Sequence, residues 1–159
     1  MENNNEELII EREFTSPSDL VFKAWANPEM AMKWWGPKGF TCPVCKIDFK
    51  VGGKYLNCMR SPEDKDYWST GVYQEIIPRE KIVCNDSFAD AEGNIVSSEY
   101  YGMKGFPKEL HVTITFKEEN GKTKMTLRHL GIPSGEIMDS TRKSWNESFD
   151  KLAESLKSY

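Results

Sequence analysis

The feature that most constrains the fold is a β-hairpin signal late in the 159-residue sequence, HVTITFKEENGKTKMTLRHL (111–130). Asn120-Gly121 tolerates the positive φ angles of a type I′ turn and separates two segments in which apolar and polar residues alternate. Further strand-like runs begin at Thr41, and the turn residues between them are Gly52-Gly53, Pro78-Arg79-Glu80 and Glu92-Gly93-Asn94. We therefore predict an antiparallel meander from Thr41 to about Leu130.

The segment after this meander, SGEIMDSTRKSWNESFDKLAESLKSY, is rich in helix formers. Its apolar residues recur at spacings of seven, four, three and four, which predicts one long amphipathic helix at the end of the chain. Glu147 and Lys151 are four residues apart, so we expect them to form an ion pair on the exposed side of this helix. The apolar residues are Met138, Trp145, Phe149, Leu152 and Leu156.

The segment before the meander predicts one strand and two short helices. LIIEREF (8–14) has the β-branched and aromatic content of a strand. Ser16 is a candidate N-cap for the first helix, and Asn27-Pro28-Glu29 repeats a helix start signal. The second helix is predicted to carry MAMKWW and to stop at Gly36-Pro37.

Length and charge limit the domain count and the partners. A chain of 159 residues buries roughly two thirds of the surface that its unfolded form exposes, which suits one core. We predict a single domain over residues 8–159 after a disordered tail over residues 1–7. The net charge of -4 comes from interspersed residues of both signs, so no basic run is available to bind nucleic acid. The N-terminus lacks the features of a secretory signal, and no stretch approaches ~18 apolar residues, so we expect a cytoplasmic protein without membrane contact.

Cys42 and Cys45 form a Cys-x-x-Cys pair, a spacing that zinc sites and thiol redox centres use. The surrounding sequence CPVCKIDFKV is strand-like, and residues three apart on a regular strand point to opposite faces. A zinc site would need a second pair of ligands, and a thioredoxin-like site would need a helix directly after the motif. We therefore predict free cysteines in a sheet and no metal site.

The ordered motifs of the chain resemble those of a known family. The motifs are SPSDLVFKAW, NPEMAMKWWGP, DFKVGGKY, GVYQEIIPREKIV, VTITFKEENGKTKMTLRH and WNESFDKLAESL. This combination resembles the activator homologues of the heat-shock protein 90 ATPase, within the START-like (SRPBCC) superfamily, over about residues 8 to 158. The resemblance implies an α+β helix-grip fold, in which a curved antiparallel sheet surrounds a long C-terminal helix and leaves a cavity between them.

Several side chains are candidates for the wall of this cavity. On the last strand, alternation places Met125, Leu127 and His129 on the inward face. Met138 and Trp145 on the apolar stripe of the last helix would face them. The remaining candidates are Trp34 and Trp35 at the end of the second short helix and Tyr73 on the strand GVYQEI.

The stretch SSEYYGMKGFPKEL (97–110) is a candidate lid. It carries two glycines and a proline among three aromatic residues, and loops of this length without their own structure often have a function. The alternative is a surface insertion. The aromatic lid candidates are Tyr100, Tyr101 and Phe106.

The sequence leaves three functions open. The first is binding of an apolar or amphipathic small molecule in the cavity, which the aromatic residues and seven methionines favour. The second is interaction with a chaperone, which the resemblance implies. The third is catalysis, for which Glu75 and His129 are the acid–base candidates, although the chain has no nucleophile elbow or phosphate loop. No cofactor is expected, and both a monomer and a homodimer are compatible with the sequence.

Overall fold

Seven strands form one antiparallel sheet that curves around a long C-terminal helix in the computed structural model. The structure describes residues 5–159. This arrangement confirms the predicted α+β class and the two short helices after the first strand. The elements are β1 (Asn5–Phe14), α1 (Ser18–Ala26), α2 (Pro28–Ala31), β2 (Thr41–Ile47), β3 (Lys54–Arg60), β4 (Asp66–Ile77), β5 (Lys81–Ala89), a short 3-10 helix (Ser98–Tyr101), β6 (Leu110–Glu119), β7 (Lys122–Pro133) and α3 (Glu136–Leu156). Across the sheet the strand order is β1-β7-β6-β5-β4-β3-β2.

The hairpin β6–β7 forms around the predicted turn. Asn120 and Gly121 have φ angles of 55° and 77°, as a type I′ turn requires, and the flanking residues Glu119 and Lys122 are paired. The local signal was sufficient here because the turn residues alone fix the register of both strands.

The first strand begins at Asn5, three residues before the predicted start at Leu8. It pairs with β7 along its whole length, and Glu7 forms an ion pair with Arg128 at 3.0 Å. Polar residues suit this position because β1 is an edge strand with one face in water. The remaining part of the predicted tail, residues 1–4, lies outside the described residues.

The N-cap prediction for α1 was wrong. The helix begins at Ser18 with Pro17 in the cap position and no side-chain cap. The backbone amide of Ser18 instead donates to the carboxylate of Glu118 at 2.7 Å, and the carbonyl of Ser16 accepts from Thr123 Oγ1 at 2.7 Å. The carboxylate of Glu118 in the β6–β7 hairpin therefore satisfies a backbone amide at the start of α1, which is the role predicted for the Ser16 side chain.

The second helix starts as predicted but is shorter. Asn27 caps it, since its side-chain oxygen accepts from the amide of Met30 at 3.0 Å. The regular helix ends at Ala31, and hydrogen-bonded turns continue the chain to Trp34 and Trp35, where the Trp35 amide donates to the Ala31 carbonyl at 3.0 Å. Both indole rings contact α3, since Trp34 packs against Phe149 and Trp35 packs against Trp145.

The two halves of α3 differ in how they meet the sheet. Phe149, Leu152 and Leu156 in the C-terminal half are at most 4% exposed and belong to the main core. Met138 and Trp145 in the N-terminal half are only partly buried. The predicted apolar stripe is therefore inward along the whole helix, but only its second half is tightly packed.

The predicted ion pair between Glu147 and Lys151 does not form. Lys151 Nζ donates to the carbonyl oxygens of Gly36, Pro37 and Phe40 at 2.9, 3.4 and 3.0 Å. Glu147 accepts from the backbone amide of Lys38 at 3.3 Å. The segment that follows α2 therefore folds against α3, and its backbone groups take the partners that the two side chains would otherwise have given each other.

Residues 5–159 include no helix that is both long enough and apolar enough to cross a membrane.

Candidate functional site

A cavity of about 670 Å³ lies between the sheet and the N-terminal half of α3. Strands β3, β4 and β5 form one wall, and α3 together with the segment after α2 forms the opposite wall. The cavity exists because a twisted sheet cannot follow a straight helix along its whole length. Side chains fill the gap at the C-terminal half of α3 and leave it open at the other half.

Four tryptophans surround one end of the cavity. The ring centroids of Trp25 and Trp34 are 4.7 Å apart, and those of Trp35 and Trp145 are 5.7 Å apart with the rings nearly perpendicular. Trp34 is fully buried, and its Nε1 donates to the carbonyl of Ala24 at 3.1 Å. Edge-to-face packing and the hydrogen bonds of the Trp25, Trp34 and Trp145 indole groups hold these rings in place, so this wall is both apolar and rigid.

A polar network crosses the cavity from the sheet to α3. His129 Nε2 lies 3.1 Å from Asp86 Oδ2, and His129 Nδ1 accepts from Trp145 Nε1 at 3.1 Å. Since the indole can only donate, Nδ1 is the acceptor and Nε2–H donates to the carboxylate. Both ring nitrogens of His129 are therefore engaged, which fixes the orientation of the imidazole.

Tyr55 extends this network along the sheet. Its hydroxyl has two acceptors, Asp86 Oδ1 and the carbonyl oxygen of Asn85, each at 3.1 Å. Burial, followed by the negative charge of Asp86, raises the pKa of Tyr55 well above its usual range. The ring lies across Gly71 on β4, where a Cβ would overlap the Tyr55 ring and the Asn85 carbonyl oxygen. A glycine at this position is what allows Tyr55 to reach β5.

The structure places five of the eight predicted wall residues on the cavity surface. These are Trp34, Trp35, Tyr73, His129 and Trp145.

The other three predicted wall residues do not line the cavity. Met125 and Leu127 face inward on β7 but are fully buried in the core, where Met125 Sδ accepts from Trp25 Nε1 at 3.2 Å. Met138 packs against the edge of the core. Alternation along β7 correctly identified the inward face, but the cavity occupies only the part of that face nearest His129.

The three lid candidates occupy different environments. Phe106 lines the cavity together with Met103 and Lys104 of the same loop. Tyr100 is 62% exposed. The Tyr101 hydroxyl donates to the Ala89 carbonyl and accepts from the Trp68 amide, so it anchors the loop to the sheet. A role of this loop as a lid remains a prediction, with Phe106 as its candidate contact.

Asp86 and Asn57 were missed as candidates by sequence reasoning. Asp86 lies on β5 between the inward residues Cys84 and Phe88, and Asn57 lies on β3 between Tyr55 and Met59. In both strands a polar residue interrupts an apolar face. That interruption was visible in the sequence and could have identified both residues.

The two acid–base candidates are not brought together. Glu75 is exposed and pairs with Lys81 at 3.0 Å on the outer surface of the sheet, whereas His129 lies in the cavity wall. The acidic residue that contacts His129 is Asp86.

The prediction that the Cys42 and Cys45 thiols point apart was wrong. A β-bulge between Thr41 and Val44 sets two residues of β2 against one of β3, which breaks the alternation. The Cys42 thiol donates to the Val44 carbonyl at 3.4 Å. The two thiols also lie near each other, and this proximity lowers the pKa of Cys42 and raises the pKa of Cys45. Both cysteines are free, and within residues 5–159 no group of three or more potential ligands is arranged to hold a metal.

Comparisons with known proteins agree with this architecture. A Chromobacterium violaceum protein of known crystal structure is 26% identical and superimposes with a TM-score of 0.80, over 95% of this chain and 96% of its own. The AHSA1 protein from Silicibacter pomeroyi is 22% identical, with a TM-score of 0.75 over 95% of this chain and 97% of its own. No curated protein matches the sequence. The family model described as activator of Hsp90 ATPase homolog 1-like protein matches residues 15–157, and the chain therefore belongs to that family.

Proposed function

We propose that this protein binds an apolar or amphipathic small molecule in the cavity between the sheet and α3. The observation that carries the proposal is the cavity itself. Its volume of about 670 Å³ falls in the range of known ligand sites, ~300–1,000 Å³. Its wall is mostly aromatic and aliphatic with a few convergent polar groups, which is the usual composition of such sites.

The rigidity of the wall adds support. The tryptophan rings contact one another, and the network of Asp86, His129 and Trp145 ties the sheet to α3 across the cavity. A wall that is held in place before the ligand arrives loses little side-chain entropy on binding. The membership of the chain in its family is consistent with a ligand-binding domain.

A cavity-filling variant tests the proposal. Ser144 lies on the cavity side of α3, and Ser144→Phe would occupy part of the volume. We expect the neutral dye N-phenylnaphthylamine to bind the wild type saturably and the variant at least about tenfold more weakly, because the phenyl ring removes contact surface. Lys143→Phe is the matched control, since Lys143 is exposed on a neighbouring face of the same helix. Absence of saturable binding, or equal binding by both variants, would refute the proposal.

Chaperone interaction is the alternative, and the family description is the observation that favours it. Stimulation of the ATPase of the host's own heat-shock protein 90 by the purified protein would support this function. No stimulation at micromolar concentration would count against it.

A further inference from the structure

The side chain of Asn57 is an unpaired polar group in the cavity wall. Asn57 is 5% exposed and faces the cavity from the middle of β3. Among the residues that the structure describes, its Oδ1 is the one buried side-chain nitrogen or oxygen atom without a hydrogen-bond partner. An acceptor of this kind destabilises the free protein, because it has left water without gaining a donor. Such a group is explained if a ligand supplies the donor.

Asp86 presents a second acceptor to the same cavity. Its two carboxylate oxygens accept from Tyr55 and His129, one each. A carboxylate has about four acceptor sites, so Asp86 can also accept from a ligand. Asn57 and Asp86 lie on β3 and β5, with only β4 between them, so both acceptors belong to the sheet wall.

The charges around the cavity favour some head groups over others. The charged side chains along its surface are Asp86, Lys104 and Glu136. Lys104 and Glu136 are exposed, whereas Asp86 is partly buried in the sheet wall. An anionic group near this wall would meet the carboxylate of Asp86 in surroundings of low dielectric, where like charges repel strongly.

We propose that the ligand carries a hydroxyl or amine that donates to Asn57 Oδ1, and that Asp86 disfavours ligands with an anionic head group. The inference rests on the proposed function and specifies its ligand class: an apolar molecule with a neutral or cationic hydrogen-bond donor. Asn57 is a selectivity residue in this account, and its unpaired oxygen lowers the stability of the unliganded fold.

Matched probes test the inference by calorimetry. Methylnaphthalene, naphthalenemethanol and naphthoate share one aromatic body and differ in the head group. In the wild type we expect naphthoate to bind at least about tenfold more weakly than the alcohol. Asn57→Leu should weaken binding of the alcohol relative to methylnaphthalene by about fivefold or more, because it removes the acceptor. It should also raise the melting temperature of the unliganded protein, because a buried unpaired oxygen is replaced by apolar groups.

Thr141→Val is the matched control. Thr141 also lines the cavity, but its hydroxyl already donates to the Ile137 carbonyl at 2.7 Å, so its loss should leave the selectivity unchanged. The inference would be overturned if Asn57→Leu left the ratio of the affinities for naphthalenemethanol and methylnaphthalene unchanged, or if it lowered the melting temperature. A preference of the wild type for naphthoate over the alcohol would also overturn it. If methylnaphthalene binds in those cases, the proposed function survives. If none of the probes binds, the proposed function fails together with the inference.

Discussion

Lys151 links the C-terminal helix to the segment that carries the tryptophan wall, and its removal should cost measurable stability. Lys151→Met retains most of the aliphatic stem and removes the ammonium group that donates to three carbonyl oxygens at 2.9, 3.4 and 3.0 Å. A hydrogen bond to a charged group contributes ~1.5–3 kcal/mol. The longest of the three is weak, and the side chain is only partly buried, so water replaces part of the loss. We therefore expect the free energy of unfolding to fall by about 2 kcal/mol.

Urea unfolding followed by tryptophan fluorescence measures this change, and a loss of 2 kcal/mol corresponds to a melting temperature lower by about 4–8 °C for a chain of this size. The control is Lys143→Met, because Lys143 is exposed on the same helix and its replacement should change stability by less than about 0.5 kcal/mol. Equal stability of the two variants would refute the assignment of Lys151 as the anchor of the segment after α2. Burial lowers the pKa of Lys151, and the charge of the nearby Cys42 thiolate opposes this shift.

Three further predictions concern the sheet. Gly71→Ala should lower the free energy of unfolding by about 3 kcal/mol, because its Cβ would overlap the Tyr55 ring and the Asn85 carbonyl; an unchanged urea midpoint would contradict this. Because the pKa of Tyr55 is raised in the folded protein, the unfolded chain loses the hydroxyl proton first, and the free energy of unfolding should fall as the pH rises above about 10. In Tyr55→Phe the slope of this free energy against pH should be smaller by about 1.4 kcal/mol per pH unit. Parallel slopes of the two proteins would exclude the effect. Cys45→Ala should raise the pKa of Cys42, measured by thiolate absorbance, and a constant pKa would show that Cys45 does not stabilise that thiolate.

Local signals predicted the elements of the fold well. The turn at Asn120-Gly121, the cap at Asn27 and the apolar stripe of α3 each depend on residues that are close in sequence, and the structure contains all three. The N-cap at Ser16 failed because Glu118, one hundred residues from Ser18, supplies the partner. A short motif cannot reveal a competitor at that distance in the sequence.

The candidate site was predicted less completely. Alternation indicates that Asp86 and His129 both face inward, but it does not show that two side chains 43 residues apart will pair. The contact between Cys42 and Cys45 depends on a bulge, and a bulge is set by the pairing of β2 with β3 rather than by either strand alone. The open volume depends on where the helix separates from the sheet, and this is a property of the assembled layers.

The two halves of α3 have different structural roles. The half that carries Phe149, Leu152 and Leu156 is closely packed and holds the helix in place. The half that carries Ser140, Thr141 and Ser144 borders the cavity, so substitutions there change the shape of the cavity and leave the packed half of the helix intact. Under the proposed function, substitutions in the half that borders the cavity would change the ligand preference, while the packing at the opposite end of the same helix keeps the domain folded.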